Sequence, residues 1–148
     1  MAEIETKHYL ANGTQPHPRE ALEWAGETRA VMVDLKFCDL LGTWQHVSLP
    51  IAAFDESAFD EGLGFDGSSI RGWQGIQESD MLLIPDASSA ILDPFTAEPT
   101  LSLICEIRDP VSGGAYPKDP RHVGRKAGEI VPATAPILHN QYSLYTSS

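Results

Sequence analysis

A small α+β domain with a mixed or mostly antiparallel sheet is what this sequence predicts, and three observations predict it. Two segments that alternate apolar and polar residues, 31–38 and 43–49, are separated only by Asp39-Leu40-Leu41-Gly42. A third alternating segment fills 100–108. The helical spacings elsewhere are brief and bounded by Pro and Gly, which leaves room for one or two short helices. A length of 148 residues suffices for one modest core, and 42% hydrophobic with 21% charged residues is the composition of a soluble globular protein. With 12 glycines and 11 prolines, loops must take up much of the chain.

Residues 1–17 show no sustained period and read as a loose leader. Pro18 suits a first helical turn, Ala21, Leu22 and Ala25 follow at helical spacing, and Gly26 is a natural stop. In the first strand Val31, Val33, Leu35 and Phe37 alternate with Met32, Asp34, Lys36 and Cys38. The second strand returns through Trp44 and His46 to Pro50, so the two form an antiparallel hairpin. Residues 54–61 fit a short helix with Phe54, Ala58 and Phe59 facing inward. After a polar, glycine-rich loop, residues 81–84 and 90–92 read as two short strands separated by the turn-forming Pro85-Asp86-Ala87. In the last strand Leu101, Leu103, Cys105 and Ile107 share the apolar face. Asp119 and Pro120 supply an N-cap and first position for a helix that Gly124, Gly128 and Pro132 weaken. Residues 128–148 are expected to be a divergent, poorly ordered tail.

A net charge of −11 and a pI near 4.7 argue against nucleic acid as a partner, and solubility is the plain reading of that acidity. No apolar run is long enough to cross a bilayer, so no membrane partner is expected. The N-terminal residues lack the basic-then-apolar pattern of a secretory signal, which leaves the Asn12-Gly13-Thr14 sequon without context. Cys38 and Cys105 both fall on strands and read as reduced, buried thiols of a cytoplasmic protein.

The chemistry concentrates in 65–73, Phe-Asp-Gly-Ser-Ser-Ile-Arg-Gly-Trp, continuing to Glu78-Ser79-Asp80-Met81. Gly62, Gly64 and Gly67 match the G-x-G-x-x-G spacing, but the physics of that motif needs a strand before it and a helix after it. Here a helical segment precedes, and Asp66 would set a negative charge where a phosphate belongs. No Walker lysine is present. The histidines at 7, 17, 46, 122 and 139 are scattered, so no metal site is expected; His46, beside Trp44, reads as half-buried and structural. Asp66, Glu78 and Asp80 remain. Carboxylates on a flexed loop beside the Trp73 indole can hold a cation and, once it is desolvated, accept its proton. Equally, Asp66 with Ser68 can do no more than cap the local turn.

These residues, with Ile76 and Pro85-Asp86, resemble the N-terminal domain of bacterial-type (type I) glutamine synthetases. Flanking blocks agree in order: Val33 to Phe37, then Gly42 with Gln45-His46-Val47, Asp93-Pro94-Phe95 with Pro99-Thr100-Leu101, and Tyr116 with Asp119-Pro120-Arg121. The resemblance covers residues 18–127 and implies a β-grasp fold. It further implies ATP-dependent ligation of glutamate and ammonia in an oligomer, where the N-terminal domain of one subunit completes its neighbour's active site. By that resemblance Asp66 binds ammonium and takes its proton, and Trp73 walls the same intersubunit pocket. Gly67, Ser68, Ser69 and Arg71 shape the loop, and Glu78 and Asp80 serve intersubunit pairing. ATP and Mg²⁺ or Mn²⁺ belong to the complete family enzyme, whose larger catalytic domain, with its metal, ATP and glutamate ligands, has no counterpart in these 148 residues. The isolated chain is therefore expected to bind no cofactor and to make no glutamine. The partners expected are glutamine synthetase catalytic domains or neighbouring subunits. The alternatives are a non-catalytic module that joins or modulates full-length subunits, or a nonfunctional truncated product.

Overall fold

The computed structural model describes residues 17–70 and 80–134. Helix α1 (Pro18–Glu27) opens on a reciprocal cap: the His17 ring accepts from the Arg19 amide, and Glu20 reaches back to the His17 amide at 3.1 Å. Ala21 and Ala25, four apart, are its buried residues. The helix passes Gly26 and stops at Thr28, whose hydroxyl donates to the Trp24 carbonyl at 2.9 Å; Arg29 then takes a left-handed φ of 55° that turns the chain into the sheet.

Five strands form one sheet in the order β2-β1-β5-β4-β3. β1 (Met32–Cys38) and β2 (Trp44–Pro50) make the expected antiparallel hairpin, in register from Met32 opposite Pro50 to Cys38 opposite Trp44. Their connection is organised by Asp39, whose Oδ1 accepts from the Leu41 and Thr43 amides at 2.9 Å each, and Gly42 supplies the positive φ of 84°. β5 (Thr100–Arg108) lies parallel to β1 and antiparallel to β4 (Asp80–Leu92), making the sheet mixed. β3 (Leu63–Asp66) closes the other edge against β4.

The core lies on one face. Val33, Leu35 and Phe37 of β1, Leu101, Leu103, Cys105 and Ile107 of β5, and Met81 and Leu83 of β4 are all but inaccessible. They pack with Ala21 and Ala25 of α1 and with Phe54, Ala58 and Phe59 around the one-turn α2 (Ala58–Glu61). Each fully buried Val, Leu, Ile, Phe or Met among them contributes about 1.5–3 kcal/mol. Helix α3 (Pro120–Thr134) meets the opposite phase of β5, where Arg125 pairs with Glu106, while Arg121 pairs with Asp86 of β4. Beyond Ile104, where the β1 pairing ends, Asp119 Oδ2 accepts from the Ile107 amide at 3.2 Å.

Three expectations need correction. Residues 81–84 and 90–92 are not two strands around a turn: β4 is continuous, with its register shift between Asp86 and Ile91. The Ser89 hydroxyl accepts from the Ile104 amide at 2.7 Å there, standing in for a ladder carbonyl where the strand bulges. Phe65 and Asp66 belong to β3 rather than to a loop, because β4 offers pairing partners that glycine-poor propensity arguments do not see. His46 is exposed, at 62% of its side chain, rather than half-buried. Helix α3, for its part, runs on through Thr134.

Candidate functional site

The site is built at the end of β3. Gly62, at φ 78°, joins α2 to this strand; a Cβ there would lie 2.5 Å from Ile84 Cδ1 and 3.0 Å from the Leu83 carbonyl, so only glycine passes. Phe65 then packs its ring on Phe37, with centroids 5.1 Å apart, which ties the edge strand to the core. The next residue is Asp66, exposed, with backbone in the extended region.

Asp66 Oδ1 accepts from the Ser68 amide at 2.9 Å and from the Ser68 hydroxyl at 2.6 Å. These bonds cap a single 3₁₀ turn, Gly67–Ser69, closed by the Ile70 amide on the Gly67 carbonyl at 3.1 Å. Gly67 and Ile70 are buried, so the turn is pinned from below while Asp66 faces outward. In the β3–β4 register Asp66 stands directly opposite Asp80, which is also exposed.

The structure thus brings together Asp66, Gly67, Ser68, Ser69 and Asp80. Arg71, Trp73 and Glu78 lie outside the described residues. The capping role open from the sequence is realised, and it is compatible with a second one. A carboxylate held in one rotamer by two donors, with another carboxylate across the strand pair, is a fixed negative locus suited to a small cation. Gly62 to Gly67 is not a dinucleotide turn, since α2 precedes it and β3 occupies its interior. Among the described residues, no group of three or more His, Cys, Asp or Glu side chains stands close enough to hold a metal ion.

A second polar cluster lies on the sheet face away from the core. Buried Asp34 accepts from Ser48 Oγ at 2.6 Å and sits 2.7 Å from His46 Nδ1, while Lys36 Nζ reaches Asp93 at 2.7 Å. The Lys36 ammonium, then the Phe95 amide, hold the Asp93 carboxyl below its ordinary range. Sequence reasoning put Asp34 and Lys36 on the polar phase of β1 but could not see Asp93 arrive. Although Ser, His and Asp meet here, Ser48 gives its proton to the carboxylate rather than to the imidazole, so the arrangement does not activate a nucleophile.

Comparison with known proteins decides the family. The family model described as "Glutamine synthetase, beta-Grasp domain" matches residues 29–110. The chain belongs to the glutamine synthetase family. Glutamine synthetase of Microchaete diplosiphon is 47% identical over 117 residues, covering 79% of this chain and 25% of the relative. That of Mycolicibacterium smegmatis is 53% identical over 102 residues, covering 69% and 21%. This glutamine synthetase domain therefore spans about a quarter of the length of such curated relatives. Among solved structures, Plasmodium falciparum glutamine synthetase superposes with a TM-score of 0.70 at 24% identity over 78% of this chain and 22% of that one, a likeness of fold. GmaS solved without ligand gives a TM-score of 0.60 at 27% identity over 68% and 23%. The mixed, curled five-stranded sheet is the glutamine synthetase β-grasp.

Proposed function

We propose that this β-grasp domain contributes Asp66 to an ammonium pocket shared with a neighbouring subunit or catalytic domain in ATP-dependent glutamine synthesis. The observation that carries the reading is the Asp66 carboxylate itself, fixed by Ser68 at the exposed end of β3 in a chain of this family. Ammonium is a cation that becomes a nucleophile only after losing a proton. Asp66 accepts that proton, leaving neutral ammonia to attack an activated acyl group. Trp73 supplies an aromatic wall of the pocket, Asp80 and Glu78 serve the contact between subunits, and Arg71 shapes the loop. The described residues do not offer a metal donor set. In this reading ATP and Mg²⁺ or Mn²⁺ are held by the part of the relatives that this chain does not span. No helix among the described residues is long and apolar enough to cross a membrane, and a cytoplasmic setting accords with the proposal.

Co-expression of the chain with a full-length glutamine synthetase subunit tests this. Mixed oligomers should be seen by native mass measurement, and their glutamine formation should fall when Asp66→Asn replaces the wild-type chain. Asn keeps the acceptor that caps the 3₁₀ turn, so the substitution removes charge without removing the turn. Absence of any mixed oligomer would overturn the shared pocket. Mixed oligomers equally active with either chain would instead favour a non-catalytic module.

A further inference from the structure

We propose that the cleft between the end of β5 and helix α3 is a binding site for a small multivalent oxyanion of the phosphate or carboxylate class. The chain carries 21 acidic residues against 10 Lys and Arg, so its cations should find carboxylates easily. Several do: Arg19 pairs with Glu23, Lys36 with Asp93, Arg121 with Asp86 and Arg125 with Glu106. Arg108 and Lys126 do not, and with His122 and Arg125 they line an open cavity of about 320 Å³ in which Glu106 is the single carboxylate. Arg125 engages Glu106, while Arg108, His122 and Lys126 have no ion pair or side-chain hydrogen bond among the described residues.

The placement is built into the fold. His122, Arg125 and Lys126 fall at i, i+3 and i+4 and so share one face of α3, and Arg108 ends the strand below them. Two contacts fix the helix over the strand, the Arg125–Glu106 pair and the Asp119 carboxylate on the Ile107 amide, the latter with Asp119 only 1% exposed. Asp109, next in sequence to Arg108, is turned into its own loop, where it accepts from the Val111 amide at 2.7 Å and the Ser112 amide. With its one carboxylate already engaged, the cavity keeps an excess of positive charge within a protein of net charge −11. Like charges gathered there repel, and an anion with several oxygens relieves that repulsion while accepting from a guanidinium and an ammonium together. The volume is at the small end of pockets that take small molecules. The assignment is independent of the role proposed for Asp66.

The test titrates the full 148-residue chain with inorganic pyrophosphate and, separately, with tricarballylate at 150 mM chloride, following backbone amides by NMR. The expected result is saturable shifts confined to residues 108–115 and 120–128, with either probe or both; which probe binds tells phosphate from carboxylate. Lys126→Gln, on the exposed helix face, and Arg108→Gln should each weaken binding about tenfold or more, with the unbound spectra reporting that both variants are folded. Arg19→Gln, on α1, should change nothing. The site is overturned by shifts scattered over the surface, by no saturation with either probe, or by affinities that Lys126→Gln and Arg108→Gln leave intact.

Discussion

Asp66 and Asp80 are direct cross-strand partners at the end of the β3–β4 ladder, two carboxylates facing one another on adjacent strands. Like charges so placed are destabilising by about 0.2–1 kcal/mol. Asp80→Asn should therefore stabilise the domain by that amount in urea unfolding at neutral pH and low salt. At high salt the gain should vanish, because exposed charges are screened. A lower midpoint for the variant at low salt would show that the two carboxylates do not repel.

Gly62 holds the entry to that ladder. Its φ of 78° and the 3.0 Å approach of the Leu83 carbonyl to a Cβ leave no room for alanine without moving β3 or β4. Gly62→Ala should cost about 1–3 kcal/mol, whereas Gly26→Ala, in open space on α1, should be neutral or slightly stabilising. Equal midpoints for the two variants would contradict the geometry.

Ser89 completes the sheet where β4 bulges. Removing its hydroxyl by Ser89→Ala leaves the Ile104 amide without the 2.7 Å acceptor, a loss of about 1–3 kcal/mol. Amide exchange at Ile104 should accelerate more than at its neighbours in β5. Unchanged exchange there would mean that another acceptor takes over.

How far these devices were legible differs element by element. β1, β2 and β5 could be read because period two leaves a plain signature, and the bounds of β5 agree to the residue. β3 could not, since Leu63-Gly64-Phe65-Asp66 has weak strand propensity and is made a strand by its partner. Pro85-Asp86 carries turn chemistry, which the structure uses inside a strand: Asp86 Oδ1 accepts from the Ser88 amide at 2.9 Å while the chain continues. Of the site, the Asp66–Ser68 cap was visible as local chemistry. The Asp66–Asp80 facing was not, because it exists only once β3 is recognised.

Acid should weaken the domain through its capping carboxylates. The Thr43 amide foremost, then Gln45 and the neighbouring amides, hold the Asp39 carboxyl below its ordinary range despite the opposing effect of burial; Asp93 moves the same way through Lys36. A lowered folded value means that the unfolded chain binds protons first as pH falls. The stabilisation is thus complete above the ordinary carboxylate range and is lost as pH drops through the folded values. Urea midpoints of wild type should fall steadily from pH 5 downward. Asp39→Asn, which cannot titrate, should show a shallower fall, and parallel curves would remove Asp39 from the account.

The two thiols should react in sequence. Cys105 is 1% exposed and burial pushes its thiol well up; Cys38 is half-buried, raised by burial and by the adjacent Asp39. A disulfide reagent at pH 8 should modify Cys38 slowly in the native chain and Cys105 only after denaturant is added. Simultaneous modification of both in the native chain would contradict the packing.

The parallel seam between β1 and β5 has a consequence for how the domain is made. β1 can pair with β2 as soon as the hairpin leaves the ribosome, but its other edge waits for Thr100 to Ile104, after every other described strand has been synthesised. Until then Val33 and Leu35 lie on an edge that lacks its partner, and the nascent chain depends on a pairing that reaches from Met32 to Thr100 to cover it.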